Sequence, residues 1–260
     1  MRVCYLDLDE TLLGRGGRIL RDGDDAFSYD AIRALEALHG AQVPAVLVSG
    51  RRLPELAAIA RMLGADGALG ELGACDAGYP TKPGQSVHEA IAETGIVEML
   101  LTWADGALAP YEPWAQGRFG SHLLVGDVGQ DAIDLVETIS RGTLRLVDNG
   151  GTGDGRRAYH LLPAGAGKGP AVARDIARRG ANPATCLAVG DSRADLELMG
   201  AVGLVAMVRN GVEDDPTLAE ECQWVTSARH GAGVLEAITR WLDDDPALTR
   251  IRRTDLPPGE

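Results

Sequence analysis

Near-continuous apolar runs at 3–8, 43–48 and 185–189 constrain this chain more than any other feature, because each is too short for a buried helix and shows no polar face. Strands covered on both sides read this way, and such strands belong to parallel sheets flanked by helices. Segments with helical spacing separate them, at 29–38, 53–63 and 168–178, and shorter strand-like runs follow at 67–69, 204–208 and 224–226. Further helical stretches fall at 194–199 and 234–242. The alternation predicts an α/β fold with a doubly wound parallel sheet. Right-handed crossovers then place the carboxyl ends of the strands on one edge, where such folds bind ligands.

The pattern breaks near 79, where Tyr79, Pro80, Thr81, Lys82, Pro83 and Gly84 form a turn-rich hinge. Beyond it the spacing predicts a helix over 86–103, a strand over 119–125, a helix over 130–140, and strands over 144–147 and 158–162 joined by a glycine-rich turn. This order reads as an α+β module inserted into the first domain. The expected division is a core of 1–78 and 163–242, an inserted cap of 79–162, and a charged, loosely packed tail of 243–260.

The 260 residues suffice for one large domain or two modest ones with real cores. The formal charge of −13 repels nucleic acid and anionic membrane surfaces, so neither is an expected partner. The same field repels a phosphorylated substrate, so a site for one needs local positive charge. Lysine occurs only at Lys82 and Lys168, and arginine supplies the rest. Cys4, Cys75, Cys186 and Cys222 lack the close spacing of zinc or redox motifs. No charged-then-apolar leader precedes the first strand, and no apolar stretch is long enough to span a membrane. A cytoplasmic setting with reduced thiols is expected.

Four short motifs carry chemistry. Asp7-Leu8-Asp9-Glu10-Thr11 closes the first strand, so its two aspartates fan out as the extended chain ends. One can attack phosphorus, the other can act as acid and base, and the Thr11 hydroxyl can hold a phosphate oxygen. Ser49-Gly50-Arg51 follows the second strand, offering a hydroxyl and backbone amides as a phosphate cradle, although the tripeptide alone also describes a helix cap. Lys168, after Gly167, can neutralise an aspartate and a phosphoryl group. A nucleotide P-loop is excluded there, since Leu162 stands where its first glycine belongs and Gly169 where Ser or Thr is required. Asp191 and Asp195, four apart across a strand-to-helix turn, suit a hard divalent cation.

Together these motifs resemble the haloacid dehalogenase superfamily of phosphatases over nearly the whole chain. The resemblance implies a Rossmann-like core, Asp7 as nucleophile, Asp9 as general acid and base, and Ser49 as phosphate-binding hydroxyl. It also implies Lys168 as the neutralising cation and Asp191 and Asp195 as the acidic metal motif for Mg2+, with Asp7 and the Asp9 carbonyl completing the metal set. An insert between the Ser49 and Lys168 motifs is similar to the Cof-like, type IIB branch, which includes sugar-phosphate and mannosyl-3-phosphoglycerate phosphatases. Asn210-Gly211 resembles a loop of that branch near the site. One departure stands out: the branch often carries Asn-Gly-Ala after the third strand, where this chain has Leu72-Gly73-Ala74.

The implied reaction is magnesium-dependent hydrolysis of a small phosphorylated metabolite, a sugar phosphate or phosphoglycerate derivative, through an aspartyl phosphate. The insert is expected to cap the site, with Arg118, His122, Arg145 and His160 as candidates to read an anionic or hydroxylated leaving group. Two rivals share these motifs. A phosphomutase would return the phosphate to a sugar, and a binding protein would use the scaffold without turnover.

Overall fold

The computed structural model describes residues 1–252. Ten strands occur among them: β1 (Cys4–Leu6), β2 (Ala45–Val48), β3 (Gly67–Leu69), β4 (Leu108–Pro110), β5 (His122–Gly126), β6 (Leu144–Gly151), β7 (Arg157–Pro163), β8 (Leu187–Gly190), β9 (Leu204–Met207) and β10 (Trp224–Val225). They form two separate sheets, one in each of two compact units. Among the described residues, the first unit holds Met1–Ser49, Glu55–Leu69 and 168–252; the second holds Gly50–Pro54 and Gly70–Gly167.

In the first unit six parallel strands run in the order β10-β9-β8-β1-β2-β3. The alternation of side chains across each strand explains why the runs are apolar throughout. Cys4, Leu6, Leu47, Leu187 and Val189 pack on one face with Leu38 and Leu56 of helices Asp30–Gly40 and Leu53–Leu63 and with Val234 and Trp241 of His230–Leu242. Val3, Tyr5, Val46, Val48 and Ala188 pack on the other with Val172 and Ile176 of helix Lys168–Arg179. A doubly wound sheet, as expected from the sequence, puts β1 between β2 and β8. The segments that follow these three strands therefore emerge side by side.

The second unit is an antiparallel sheet ordered β4-β5-β7-β6, with helices Val87–Glu93, Ile96–Trp103 and Gln130–Ile139. Its core gathers Ile91, Leu100, Leu124, Val136, Leu146, Tyr159 and Leu161. The single helix expected over 86–103 is two, because Gly95 adopts φ +74 and restarts the chain. The strand expected from 119 begins only at His122, since the amides of Phe119, Gly120 and Ser121 are taken by the Glu71 carboxylate and cannot join a ladder. Within the tail, Asp245 caps a short helix, Pro246–Ile251, that buries Leu248; residues 253–260 lie outside the described residues. No helix among the described residues is long and apolar enough to cross a membrane.

Candidate active site

The register of β1 fixes the first catalytic candidate. The Asp7 amide donates to Val189 O of β8 at 2.9 Å, so Asp7 is still held by the sheet while its ψ of 158° keeps it extended. The chain then leaves the sheet through Asp9 and a left-handed Glu10 (φ 56°, ψ 4°). That turn brings Thr11 back, and its buried hydroxyl lies 3.0 Å from Asp7 Oδ2 and 2.8 Å from Asp191 Oδ1. One hydroxyl proton cannot satisfy two carboxylates at once, so an unmet demand for positive charge remains at this point.

Lys168 opens its helix with its side chain 2% exposed, and Nζ donates to Asp7 Oδ1 at 2.6 Å and to Asp195 Oδ1 at 2.7 Å. The other Asp195 oxygen accepts from the Asp191 and Ser192 amides and, at 2.8 Å, from Ser192 Oγ. Asp195 thus organises the 190–195 loop and anchors Lys168 to it. Close packing depends on Gly190, where a Cβ would fall 2.1 Å from Asp195 Cγ.

Asp7, Asp191 and Asp195 each direct a carboxylate oxygen into one cluster, all within 4.8 Å of one another. Three carboxylates face one ammonium, a net deficit of positive charge in a buried place. Burial first, then the Asp195 charge working against Lys168, pushes the Asp7 carboxyl up to about 6. Burial, with the charges of Asp7 and Asp195, holds Asp191 well above the usual carboxylate range. Burial pulls the Lys168 ammonium down, but Asp195 and Asp7 outweigh it and raise it overall. Oxygen donors that resist carrying their own charge fit a divalent cation, which would relieve the repulsion directly. The Asp9 side chain, half-buried, stands outside this set of three.

Ser49 follows β2, the neighbour of β1, and is 3% exposed; its amide donates to Leu69 O at 3.0 Å. The division between the units passes between Ser49 and Gly50. Within the second unit, Gly50 O accepts from Arg118 Nη1 at 3.0 Å, and Arg51 O accepts from the Glu71 amide at 2.8 Å. A Cβ on Gly50 would sit 2.7 Å from His160 Nε2 and 3.0 Å from Asn149 Nδ2, so only glycine allows this approach. Arg118 is buried and also donates to Trp114 O and Ser121 Oγ. His122 stacks on His88 with centroids 3.8 Å apart, and burial, with the neighbouring His88, lowers it to about 4. Arg145 donates to Ala166 O at 3.3 Å.

Sequence reasoning missed Glu71, which is fully buried. Its carboxylate accepts from the Phe119, Gly120 and Ser121 amides and from Ser121 Oγ, with Arg118 Nη1 4.0 Å away. Glu71, Leu72 and Gly73 are successively left-handed (φ 50°, 53°, 69°), which aims Leu72 O at the Gly167 amide 2.9 Å away. Leucine thus holds, inside a buried environment, a backbone geometry that asparagine adopts more readily. The only signal was the break from Asn-Gly-Ala at Leu72-Gly73-Ala74.

The sequence model of haloacid dehalogenase-like hydrolases matches residues 131–238. Phosphoglycolate phosphatase of Methanothermobacter thermautotrophicus is 27% identical over 248 residues, covering 93% of this chain and 99% of that protein. Sucrose-phosphatase of Synechocystis sp. PCC6803 shares the fold with a TM-score of 0.63 at 19% identity, over 93% of this chain and 98% of that one. A sugar phosphatase of subclass IIB gives a TM-score of 0.63 at 14% identity, over 93% and 99%. At these identities the likeness to solved structures is one of fold.

Proposed function

We propose that this chain, a haloacid dehalogenase-like hydrolase of the type IIB branch and a phosphatase, cleaves the monoester of a small metabolite through a covalent phosphoryl group on Asp7. The observation that carries the reading is the buried cluster in which Lys168 joins Asp7 to Asp195 beside Asp191. A carboxylate meant to attack phosphorus must be held, partly neutralised and kept from solvent, and Asp7 has all three conditions.

In the first step an Asp7 oxygen attacks phosphorus and the bond to the leaving oxygen breaks, while Asp9 delivers a proton to that oxygen. In the second, Asp9 takes a proton from water, the water oxygen bonds to phosphorus, and the bond to Asp7 breaks to release phosphate. Thr11 and Ser49 hold phosphoryl oxygens, with Gly50 and Arg51 supplying further donors, and Lys168 limits the charge that builds up beside Asp7. Asp7 and Asp191 would hold Mg2+ with the Asp9 carbonyl, Asp195 acting from behind through Lys168 and Ser192. When bound, the ion supplies charge compensation for the phosphoryl oxygens. Uncatalysed monoester hydrolysis is slow enough that accelerations approach ~10²¹-fold, so dense charge matching is required.

Relatives named phosphoglycolate phosphatase extend over most of this chain, which puts phosphoglycolate first among substrates to test, ahead of sugar phosphates and phosphoglycerates. His160, beside the Gly50 backbone, is one of four second-unit side chains kept as candidate leaving-group contacts. Arg118, His122 and Arg145 are the others; like them His160 is partnered, its Nδ1 lying 3.3 Å from Ser121 Oγ. The test is phosphate release from this panel with magnesium and with chelator. Magnesium-dependent release favouring one compound supports the reading, whereas interconversion of sugar phosphates without release would replace it with a mutase.

A further inference from the structure

We infer that Asn210 and His230 are a positioning pair that aims Asp9, by clamping the turn on which it stands. The inference rests on the role given above to Asp9. Glu10, between Asp9 and Thr11, is left-handed, a conformation non-glycine residues hold only under constraint. Its carbonyl oxygen supplies that constraint. It accepts from Asn210 Nδ2 at 2.7 Å and from His230 Nδ1 at 2.9 Å, so both its lone pairs are engaged. A carbonyl carries no proton, so Nδ1 of His230 must be the protonated ring nitrogen. The two donors are also locked to each other, since the His230 amide donates to Asn210 Oδ1 at 2.9 Å. Both side chains are buried, and His230 is itself left-handed (φ 46°) at the start of its helix.

The clamp reaches the rest of the site through its neighbours. Gly211 packs so closely that a Cβ would fall 2.0 Å from Asp191 O, which ties the 210–211 turn to the acidic loop. Gly23 lies against the far edge of the His230 ring, where a Cβ would meet Cδ2 and Nε2 at 2.8 and 2.9 Å. Asp9 therefore stands between two fixed points: the Asp7 amide, held by Val189 O, and Glu10 O, bonded to Asn210 and His230. An acid that serves first a leaving oxygen and then a water needs such a base, because displacement by about 1 Å can cost ~10²-fold in rate.

A pair that merely stabilised the helix would affect all substrates equally. A pair that aims a general acid matters most where the leaving oxygen needs a proton. The readout is kcat/KM, which covers only the steps up to departure of the leaving group, for an alkyl phosphate against p-nitrophenyl phosphate. For His230→Ala and Asn210→Ala we expect the alkyl value to fall about 10- to 100-fold, a part of what general acid catalysis contributes, with the aryl value little changed. His230→Asn keeps an N–H donor and tolerates the left-handed backbone, so it restores most of the loss. If the alanine variants do not fold, Gly23→Ala, which leaves both donors in place and presses on the ring, shows the same selectivity at smaller size. Equal losses for both substrates, or none, in the folded variants would overturn the inference. Asp9→Asn separates the two ideas: if it too lacks the selective alkyl loss, the role of Asp9 itself is wrong.

Discussion

Each unit of this protein buries a polar centre, and the two are built on opposite terms. In the first unit three carboxylates crowd around one ammonium, and the single Thr11 hydroxyl is shared between two of them. In the second, the Glu71 carboxylate has three backbone amides, a serine hydroxyl and a nearby guanidinium. The second centre is satisfied by its own chain. The first is left short of positive charge, the condition that the proposed binding of a cation and a phosphoryl group requires. Burial alone does not distinguish a site from a staple; the balance of donors and acceptors does.

The sharpest way to break this contrast is at the first centre. Asp7→Asn should lower turnover by about 10⁴-fold or more, in the range seen when nucleophiles are removed, while the melting temperature stays level or rises, since one of three crowded charges is gone. Lys168→Met should do the reverse to stability, costing about 3–5 kcal/mol by stranding buried carboxylates. Urea unfolding of both variants checks the pair. Equal destabilisation would mean that the cluster is a structural ion network.

Next comes the satisfied centre. Glu71→Leu leaves three amides without their acceptor and should cost about 3–5 kcal/mol, with Glu71→Gln intermediate because its carbonyl can still accept. Hydrogen exchange at residues 119–121 should rise in the same order. Unchanged exchange in the leucine variant would show that the carboxylate does not hold this segment.

The smallest expected effect is in the response to acid, where the two units differ in sign. His122 is depressed from 6.5 to about 4, so the unfolded chain binds its proton more readily. Its contribution is present above pH 6.5 and is lost as pH falls toward 4, on the order of 1–2 kcal/mol. Asp7 is raised from 3.8 to about 6, so in chelator its contribution runs the other way, falling as pH rises through that window. Thermal melts should show His122→Phe losing less stability than the wild type between pH 7 and pH 5. Parallel curves would remove His122 from the account.

The parts legible in the sequence were those with a local pattern. Apolar runs gave the central strands, and the charged residues just past them gave Asp7, Asp191 and Asp195, because periodicity and strand ends lie within a few residues. Glu71 was not legible, since its partners at 119–121 lie some fifty positions away and its burial is a tertiary fact. His230 was hidden for the same reason, with Glu10 at the other end of the chain. β4 was missed because it has three residues and includes Pro110, as an edge strand can. The break at Gly95 and the capped helix at Asp245-Pro246 did carry local signals, a glycine within a helical run and an Asp-Pro start, outweighed by the longer patterns around them.

The most direct test of the central claim is mass spectrometry of enzyme quenched in acid during turnover with magnesium and its preferred substrate. The account predicts one phosphoryl group on the peptide that contains Asp7, lost once the substrate is exhausted and absent from Asp7→Asn. Steady release of phosphate with no phosphoryl group on that peptide, or full activity in Asp7→Asn, would contradict it.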